Sequence, residues 1–259
     1  MSIEQSAKAP TVAFKALHQQ AEPLLIANVW NAHSAALAEK AGFQAVATSS
    51  HAIANALGHE DGEEMSVQEL LFILKRIKSA VRIPVSVDFE AGYSNDPMEV
   101  AEYVKQLADL GVSGINIEDG TVEDGKRLLG DADHLAEKIK VIKSSIDIFV
   151  NARIDTFTTK HPSALEESIR RAQLYQSAGA DGIFVPLMEK ESDLQAFVDK
   201  IKLPLNVFAS PQLPSYERLA ELGVKRISHG AKQYEQLMKK SEDIFVNFFK
   251  TKDYKIVLG

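Results

Sequence analysis

Short apolar runs alternate along the chain with amphipathic stretches of helical spacing. The eight runs span residues 24–30, 43–49, 83–89, 112–118, 147–153, 181–186, 203–208 and 225–228. Several of the intervening stretches, such as SAALAEKAG, end in glycine, which favours the left-handed conformation at a helix C-terminus. Nearly all-apolar strands that alternate with helices are typical of a parallel sheet covered on both faces. Eight such units in 259 residues predict a closed (β/α)8 TIM barrel, with an open doubly wound sheet as the alternative.

Composition narrows the class of protein. No linker rich in Pro, Gly or Ser divides the chain, so we expect residues 1–259 to form a single barrel domain. The absence of cysteine excludes disulfides, thiolate metal sites and a cysteine nucleophile. A net charge of -7 argues against nucleic acid as a partner. No signal peptide is evident and no stretch approaches the roughly 18 apolar residues of a membrane span, so we expect a cytoplasmic protein without a membrane partner.

Polar side chains follow most of the predicted strands directly. These residues are Asn28, Asn31, Ser49, Ser50, His51, Asp88, Glu90, Glu118, Asp119, Asn151, Arg153, Asn206, Ser228 and His229. Each one taken alone is equally well explained as a turn residue or a helix cap. In a (β/α)8 barrel, however, the carboxyl ends of the strands carry the active site. The collection of carboxylates, amides and a guanidinium at so many strand ends therefore predicts a site at that mouth.

The acids in this set indicate a metal ion. In VSVDFEAGYSN, Asp88 and Glu90 are two residues apart, so a continuing strand would point both carboxylates to one side. Glu118 follows the neighbouring strand, and three such charges at one mouth need a cation to balance them. Oxygen ligands without cysteine or paired histidines favour Mg²⁺, with Mn²⁺ as the alternative, over zinc. The competing interpretation is that one or more of these acids forms a structural ion pair with Arg153 or a lysine.

Arg153 and three histidines are the candidates for binding and proton transfer. The planar guanidinium fork of Arg153 can grip a carboxylate or phosphate at two points, although it could instead pair with Glu118 or Asp155. A histidine base has a suitable pKa near neutrality. His51, His59 and His229 could supply one, yet each is also explained as a surface or structural histidine.

The order of several motifs resembles the isocitrate lyase and phosphoenolpyruvate mutase superfamily. The motifs are AVATSSHAIANALGHEDGEE, PVSVDFEAGYSN, GVSGINIEDG, VNARIDTF and AGADGIFVP, and the resemblance covers nearly the whole chain. It implies a (β/α)8 barrel, a bound Mg²⁺ and reactions that make or break a C–C or P–C bond beside a small 2-oxo carboxylate. It also implies a homo-oligomer, a dimer or tetramer, whose final helix packs on a neighbouring subunit.

The resemblance assigns roles to the acidic positions. Asp88 matches the direct metal ligand of the family, while Glu90 and Glu118 match acids that hold the ion largely through water. Asp61, in GHEDGEE, matches an acid near the metal on a mobile loop and is a catalytic candidate.

The remaining roles concern the substrate. Ser49, Ser50 and His51 match a turn that cradles the substrate carboxylate, and His51 is also a catalytic candidate. Arg153 matches the substrate-binding arginine and is expected to act in catalysis as well. Asn206, at another strand end, is expected to join the substrate-binding residues.

The segment after the fourth predicted strand departs from the family. Lyases carry a K-K-C-G-H type loop there, whereas this chain reads GTVEDGKRLLGDADHL. We expect residues 120–130 to form a gating loop in which Lys126 and Arg127 are the cations able to reach an anionic substrate. Thr121 is also available, and Pro186 stands where the mutases have a histidine.

Three functions follow from this combination. The first is a Mg²⁺-dependent lyase or decarboxylase that acts beside a small 2-oxo carboxylate through a metal-stabilised enolate. The second is a non-catalytic or regulatory binder of 2-oxo acids that lost the acid–base loop, and the third is a phosphonopyruvate-type mutase or hydrolase. The phenylalanine-rich segment at 241–259 fits either a last helix on its own barrel or one exchanged between subunits.

Overall fold

The computed structural model describes residues 10–123 and 125–258. The strands are β1 Leu24–Leu25, β2 Ala27–Val29, β3 Val46–Thr48, β4 Val85–Asp88, β5 Gly114–Glu118, β6 Gly120–Glu123, β7 Lys126–Leu129, β8 Phe149–Arg153, β9 Gly182–Phe184, β10 Leu205–Phe208 and β11 Arg226–Ser228. The helices are α1 Pro10–Leu17, α2 Ala32–Lys40, α3 Ser50–Leu57, α4 Val67–Ala80, α5 Pro97–Asp109, α6 Ala132–Ser145, α7 Ala164–Ala178, α8 Glu191–Lys200, α9 Tyr216–Glu221, α10 Lys232–Thr251 and α11 Lys255–Leu258. No helix in these ranges is long and apolar enough to cross a bilayer.

The main sheet is parallel and closes through its first strand. Its order is β1-β11-β10-β9-β8-β5-β4-β3-β2. β1 and β2 are two parts of the first apolar run, interrupted at Ile26, whose N–H still donates to the Ile227 carbonyl at 3.0 Å. β1 pairs with β11 and β2 pairs with β3, so the run joins both ends of the sheet. The predicted (β/α)8 barrel is confirmed, and the open doubly wound sheet is wrong.

The helices begin and end where their sequences place caps. Ser66 and Glu69 form a reciprocal capping box at the start of α4. Gly58 ends α3 and Gly179 ends α7, both in the left-handed conformation with φ of 84° and 105°. These local signals fix the lengths of the elements, and the apolar faces of the helices then pack against the outside of the barrel.

Helix α1 covers the amino ends of the strands. The Phe14 ring lies 5.3 Å from that of Phe149 at the start of β8, and the His18 ring stacks on Phe149 at 4.3 Å. Gly114, which opens β5, leaves room for Phe14, because a Cβ there would lie 2.7 Å from that ring. Thr11 Oγ1 also donates to the Asp147 carbonyl at 3.1 Å. This end of the barrel is therefore closed by buried aromatic side chains.

Two elements differ from a plain barrel. The predicted gating loop at 120–130 is a two-stranded antiparallel hairpin of β6 and β7, which we call the lid hairpin.

Helix α10 carries many exposed apolar side chains, and within it only Tyr234 is buried. Those exposed side chains are Leu237, Met238, Ile244, Phe245, Val246, Phe248 and Phe249. An exchange of this helix between subunits stays a prediction.

Candidate active site

Asp88 ends β4 at the mouth of the barrel and is held by donors on both carboxylate oxygens. Ser50 Oγ donates to its Oδ2 at 2.9 Å, and Asn116 Nδ2, from the adjacent strand, donates to its Oδ1 at 3.4 Å. The Asp88 N–H donates in turn to Thr48 Oγ1 at 2.9 Å. β5 and helix α3 therefore hold the carboxylate, and β3 holds the backbone of Asp88. It retains lone pairs for a further partner, because an ionised carboxylate accepts about four hydrogen bonds.

Glu90 lies near Asp88, but not for the reason that the sequence suggested. β4 ends at Asp88, and Glu90 has a φ of +49°, so strand alternation does not set its direction. This turn is strained, because Tyr93 also has a positive φ, of +61°. Tyr93 Oη donates to Glu90 Oε1 at 3.1 Å. Burial, followed by the charges of Asp61 and Asp88, raises the pKa of Glu90 to about 9.

Glu118 belongs to a compact group of two acids and two arginines. It accepts from Arg153 Nη1 at 2.8 Å on one oxygen and from Arg127 Nη1 on the other. Asp155 accepts from Arg153 Nη2 at 2.9 Å and from Arg127 Nη1 at 2.9 Å. The charges of these four residues balance. We call them the paired cluster, namely Glu118, Arg127, Arg153 and Asp155.

The pKa values of the two acids in the paired cluster depend on burial and on the neighbouring arginines. Burial raises the pKa of Glu118, and Arg153 opposes the rise. Burial also acts to raise the pKa of Asp155, but Arg153 and Arg127 outweigh it and lower that pKa below its usual range. Glu118 thus has the ion-pair partner that was the alternative to metal binding. Its role as a ligand through water stays a prediction.

Asp61 and the turn before α3 approach Asp88 from the side. Ser50 Oγ lies 3.4 Å from Asp61 Oδ1 as well as 2.9 Å from Asp88, so one hydroxyl faces both carboxylates. His51 Nδ1 lies 3.7 Å from Asp61 Oδ2, and both side chains are partly open to solvent. Ser49 caps α3, since its Oγ accepts from the Ala52 N–H at 3.3 Å. The structure places these residues close together, and their roles stay predictions.

Asn206 and the other two histidines have mainly structural contacts. Asn206 is buried inside the barrel, where its Nδ2 donates to Ser228 Oγ at 3.2 Å. His229 Nε2 accepts from the Asn28 N–H at 3.1 Å, and burial lowers the pKa of His229. His59 lies beside Glu69 of α4 at 3.2 Å. Of the three histidines, His51 is the one in contact with the acids of the mouth.

Other residues of the site were missed or assigned differently. Asp119 binds Arg171 at 2.9 Å and Tyr175 at 2.6 Å, so it anchors α7 rather than the mouth. The sequence suggested Asp155 only as a partner of Arg153, although Asp155 also accepts a hydrogen bond from Arg127. Gly120 leaves room for the contact between Arg127 and Asp155, because a Cβ at position 120 would lie 2.1 Å from Asp155 Oδ2. The motif NARIDTF carried the only local signal for Asp155.

The site suits a cation that keeps much of its water. Within residues 10–123 and 125–258, no three His, Asp or Glu side chains converge tightly enough to form a metal cage. Asp61, Asp88 and Glu90 nevertheless gather, and among the described residues the partly exposed His51, near Asp61, is the one basic side chain in ion-pair distance of them. Mg²⁺ is usually bound by one or two carboxylates together with water and substrate oxygens. The donor set therefore fits Mg²⁺, with Asp88 best placed as a direct ligand.

A cavity of about 350 Å³ opens beside Glu90 and Glu118. Tyr93, Gly62 and Thr121 also line it. The lid hairpin contacts the loop around Gly62 closely, because a Cβ on Gly62 would lie 2.9 Å from Val122. The hairpin thus borders this cavity and packs against the loop around Gly62.

Comparisons with known proteins agree with this geometry. A family model described as phosphoenolpyruvate phosphomutase matches residues 14–249. An uncharacterised protein of Mycobacterium tuberculosis is 35% identical over 223 residues, which cover 86% of this chain and 83% of the relative. The oxaloacetate decarboxylase of Ectopseudomonas mendocina is 29% identical over 238 residues, 89% of this chain and 81% of that protein.

A solved structure repeats the fold closely. A crystal structure from Burkholderia cenocepacia superposes with a TM-score of 0.85 at 36% sequence identity. The match covers 92% of this chain and 99% of that one. This chain and the Burkholderia cenocepacia protein thus share the same overall fold.

Proposed function

The chain belongs to the phosphoenolpyruvate phosphomutase family, and from this premise we propose that it is a Mg²⁺-dependent lyase that decarboxylates oxaloacetate or a closely related 2-oxo dicarboxylate. The observation that carries the proposal is the convergence of Asp61 and Asp88 on the Ser50 hydroxyl, with Glu90 and the guanidinium of Arg153 near Asp88. Such a pairing of a cation site with an arginine fork suits a substrate that has both a chelating 2-oxo acid and a free carboxylate.

Asp88 would hold the metal directly, and Asp61 and Glu90 would bind its water ligands. A bound Mg²⁺ would supply Lewis-acid polarisation of the 2-oxo group. Ser50 would keep Asp88 and Asp61 oriented through its single hydroxyl. Tyr93 would hold Glu90 in place, since its hydroxyl donates to the Glu90 carboxylate.

Arg153 would bind a substrate carboxylate and stabilise the negative charge that develops as CO₂ leaves. Its Nε and Nη2 atoms both lie within 3.0 Å of Asp155 Oδ1, so Asp155 holds the guanidinium plane in one orientation. Thr158 Oγ1 donates to the same Asp155 oxygen at 2.8 Å. The lid hairpin would exclude water while the charge develops.

Decarboxylation is favoured among the reactions of the family because the chain contains no cysteine. A retro-aldol cleavage needs a base for a hydroxyl proton, whereas loss of CO₂ needs no proton acceptor at the breaking bond. The relative from Ectopseudomonas mendocina, 29% identical, is named an oxaloacetate decarboxylase, so decarboxylation is among the activities named for relatives of this chain. His51, the one histidine beside the acids, would supply or accept a proton at the mouth.

The proposal is tested by following oxaloacetate loss and pyruvate formation with Mg²⁺ and with EDTA, against a protein-free reaction that corrects for metal-catalysed decay. We expect turnover that EDTA abolishes and that Asp88→Ala lowers by at least about a hundredfold. Asp109→Ala is the matched control, because Asp109 is an exposed acid paired with Lys105 on α5. Equal turnover in Asp88→Ala and Asp109→Ala would refute the site.

A second candidate function is a non-catalytic binder of 2-oxo acids. The observation that favours it is the paired cluster, in which the acids of the protein itself already occupy both arginines. A binder would take up oxalate with Mg²⁺ in calorimetry yet turn over none of a panel of 2-oxo acids. Phosphonopyruvate belongs in that panel, because cleavage of its P–C bond would identify a mutase or hydrolase instead.

We also propose that the chain forms a dimer or tetramer through α10. The exposed apolar side chains of that helix, among them Phe245 and Phe249, are unusual for a free surface. Sedimentation should show an oligomer that Phe245→Glu dissociates, while Lys239→Glu on the same helix leaves it intact. A monomeric wild-type protein would contradict this.

A further inference from the structure

Arg226 lies inside the barrel beneath the proposed metal site. It begins β11, is 1% exposed and is among the largest fully buried side chains. Its guanidinium carbon lies 5.9 Å from the centre of the Phe14 ring, and its Nη2 donates to Asn116 Oδ1 at 3.4 Å. Its Nε and Nη1 have no hydrogen-bond partner in the part of the chain that the structure describes. The side chain therefore extends from the aromatic end of the barrel towards the floor of the mouth.

A buried arginine with so few partners is costly, because a buried charge needs pairing or hydrogen bonds to offset its desolvation. Arg226 remains cationic at neutral pH, since burial lowers its pKa only to about 10 and the charge of Asp88 opposes the fall. None of the acids among the described residues forms an ion pair with it. An apolar side chain of similar volume would fill the space at lower cost, so the charge calls for a functional explanation.

Asn116 connects this charge to the mouth. Its Oδ1 receives Arg226 Nη2 at 3.4 Å and Asn151 Nδ2 at 2.9 Å, so two donors meet the same atom. A guanidinium can only donate, and this fixes which end of the carboxamide faces downward. The Nδ2 of Asn116 must then face upward, where it donates to Asp88 Oδ1. The orientation of the amide, ambiguous in an isolated asparagine, is determined by Arg226.

We propose that Arg226 is a positioning residue for the reaction: through Asn116 it holds Asp88 in the direction of the mouth, and it places a fixed positive charge under the anionic ligand. The inference rests on the proposed function, in which Asp88 holds the metal. The two effects act differently on the two ligands. Loss of the buried charge weakens attraction to an anion but relieves repulsion of a cation, whereas loss of orientation at Asp88 weakens both.

The test measures the affinity of Mg²⁺ alone and of oxalate in saturating Mg²⁺ by calorimetry. Arg226→Met keeps an unbranched side chain and removes the guanidinium with its charge. We expect oxalate affinity to fall by about tenfold and Mg²⁺ affinity to change by less than about twofold, because the two effects oppose each other for the cation. Arg226→Lys, which retains the charge, should recover part of the oxalate affinity. Arg76→Met is the matched control, since Arg76 also lies over a ring, that of exposed Phe72.

A second variant keeps the inference testable if Arg226→Met does not fold. Asn116→Leu breaks the connection while it leaves the charge in place, so it should also weaken oxalate binding. The double variant Asn116→Leu/Arg226→Lys should lose less free energy of oxalate binding than the two single variants lose together. This is the result expected for residues that act in series.

The outcomes separate the inference from the proposed function. Wild-type protein that binds no oxalate in Mg²⁺ would overturn both. Wild-type binding with unchanged oxalate affinity in Arg226→Met and Asn116→Leu, accompanied only by lower stability, would overturn the positioning role alone and leave Arg226 as a packing residue of Phe14.

Discussion

The two ends of the barrel are formed by the same strands, yet they satisfy opposite demands. At the amino ends, Phe14, His18 and Phe149 pack without solvent, and the histidine is held neutral. At the carboxyl ends, β4 and β5 finish in Asp88 and Glu118, whose charges crowd together. Under the proposed function, stability and ligand binding therefore depend on opposite ends of the strands. Apart from Arg226, which reaches from one end towards the other, a substitution should therefore affect mainly folding at the amino ends and mainly ligand binding at the carboxyl ends.

The largest effect is expected at the aromatic end. Phe14→Ala leaves a cavity against Phe149 and Arg226, and it should lower the free energy of unfolding by about 3–5 kcal/mol. Urea denaturation measures this, with Phe72→Ala, at an exposed phenylalanine, as the control. Oxalate affinity of the folded Phe14→Ala protein should stay within about twofold of wild type. Loss of oxalate binding by the folded variant would mean that the two ends are not separate.

At the mouth, Arg153→Lys should weaken substrate binding rather than lower stability. Lysine keeps the charge towards Glu118 and Asp155 but loses the planar fork, so KM for oxaloacetate should rise about tenfold to a hundredfold with little change in stability. Arg170→Lys is the control, because Arg170 is an exposed arginine that binds Glu167 through two nitrogens. A KM like that of wild type would make Arg153 a structural partner of the two acids.

The neutral histidine gives the aromatic end its own pH dependence. Burial, reinforced by the charge of Arg226, lowers the pKa of His18 to about 3. In the unfolded chain that pKa is about 6.5, so below this value the unfolded state binds the additional proton and is favoured. Between pH 7 and pH 5 wild type should thus lose about 2 kcal/mol more stability than His18→Gln.

Denaturation of both proteins at the two pH values measures the difference. His33→Gln, at an exposed position of α2, should behave as wild type. Parallel pH profiles for wild type and His18→Gln would show that His18 is not held neutral.

The smallest effect concerns the lid hairpin. Arg127 ties it to Glu118 and Asp155, so Arg127→Gln should open the hairpin and speed thermolysin cleavage within 120–130 by several-fold. Mg²⁺ with oxalate should slow cleavage of the wild type. Lys126→Gln, at the exposed neighbouring cation, should leave the rate unchanged. A cleavage rate that changes neither with the ligand nor in Arg127→Gln would contradict a gating role for the hairpin.

The sequence predicted most of the barrel because its signals are local. Each apolar run contains a strand, and glycines such as Gly58 and Gly179 end helices through a backbone preference that one residue expresses. The meeting of Asp88 and Glu118 also followed from neighbouring strand ends.

What the sequence did not reveal depends on contacts between distant residues. The amphipathic start of α1 gives no sign that Phe14 packs on Phe149. The hairpin form of 120–130 and the binding of Arg127 to Asp155 need the closed barrel to bring them together. The direction of Glu90 was derived from strand alternation, which failed because the strand ends two residues earlier in a strained turn.

The contacts of α1 constrain the order in which the chain can assemble. Thr11 and Asp147, which bond at the amino end, are 136 residues apart, and Leu24 pairs with Arg226 where the sheet closes. During synthesis the first helix leaves the ribosome long before either partner exists. Phe14 of the nascent chain must therefore stay uncovered until β8 has emerged. The sheet cannot close at β1 until β11 follows. Contacts this distant in sequence make folding slow, so the helix that closes the barrel is also the segment longest exposed to misfolding.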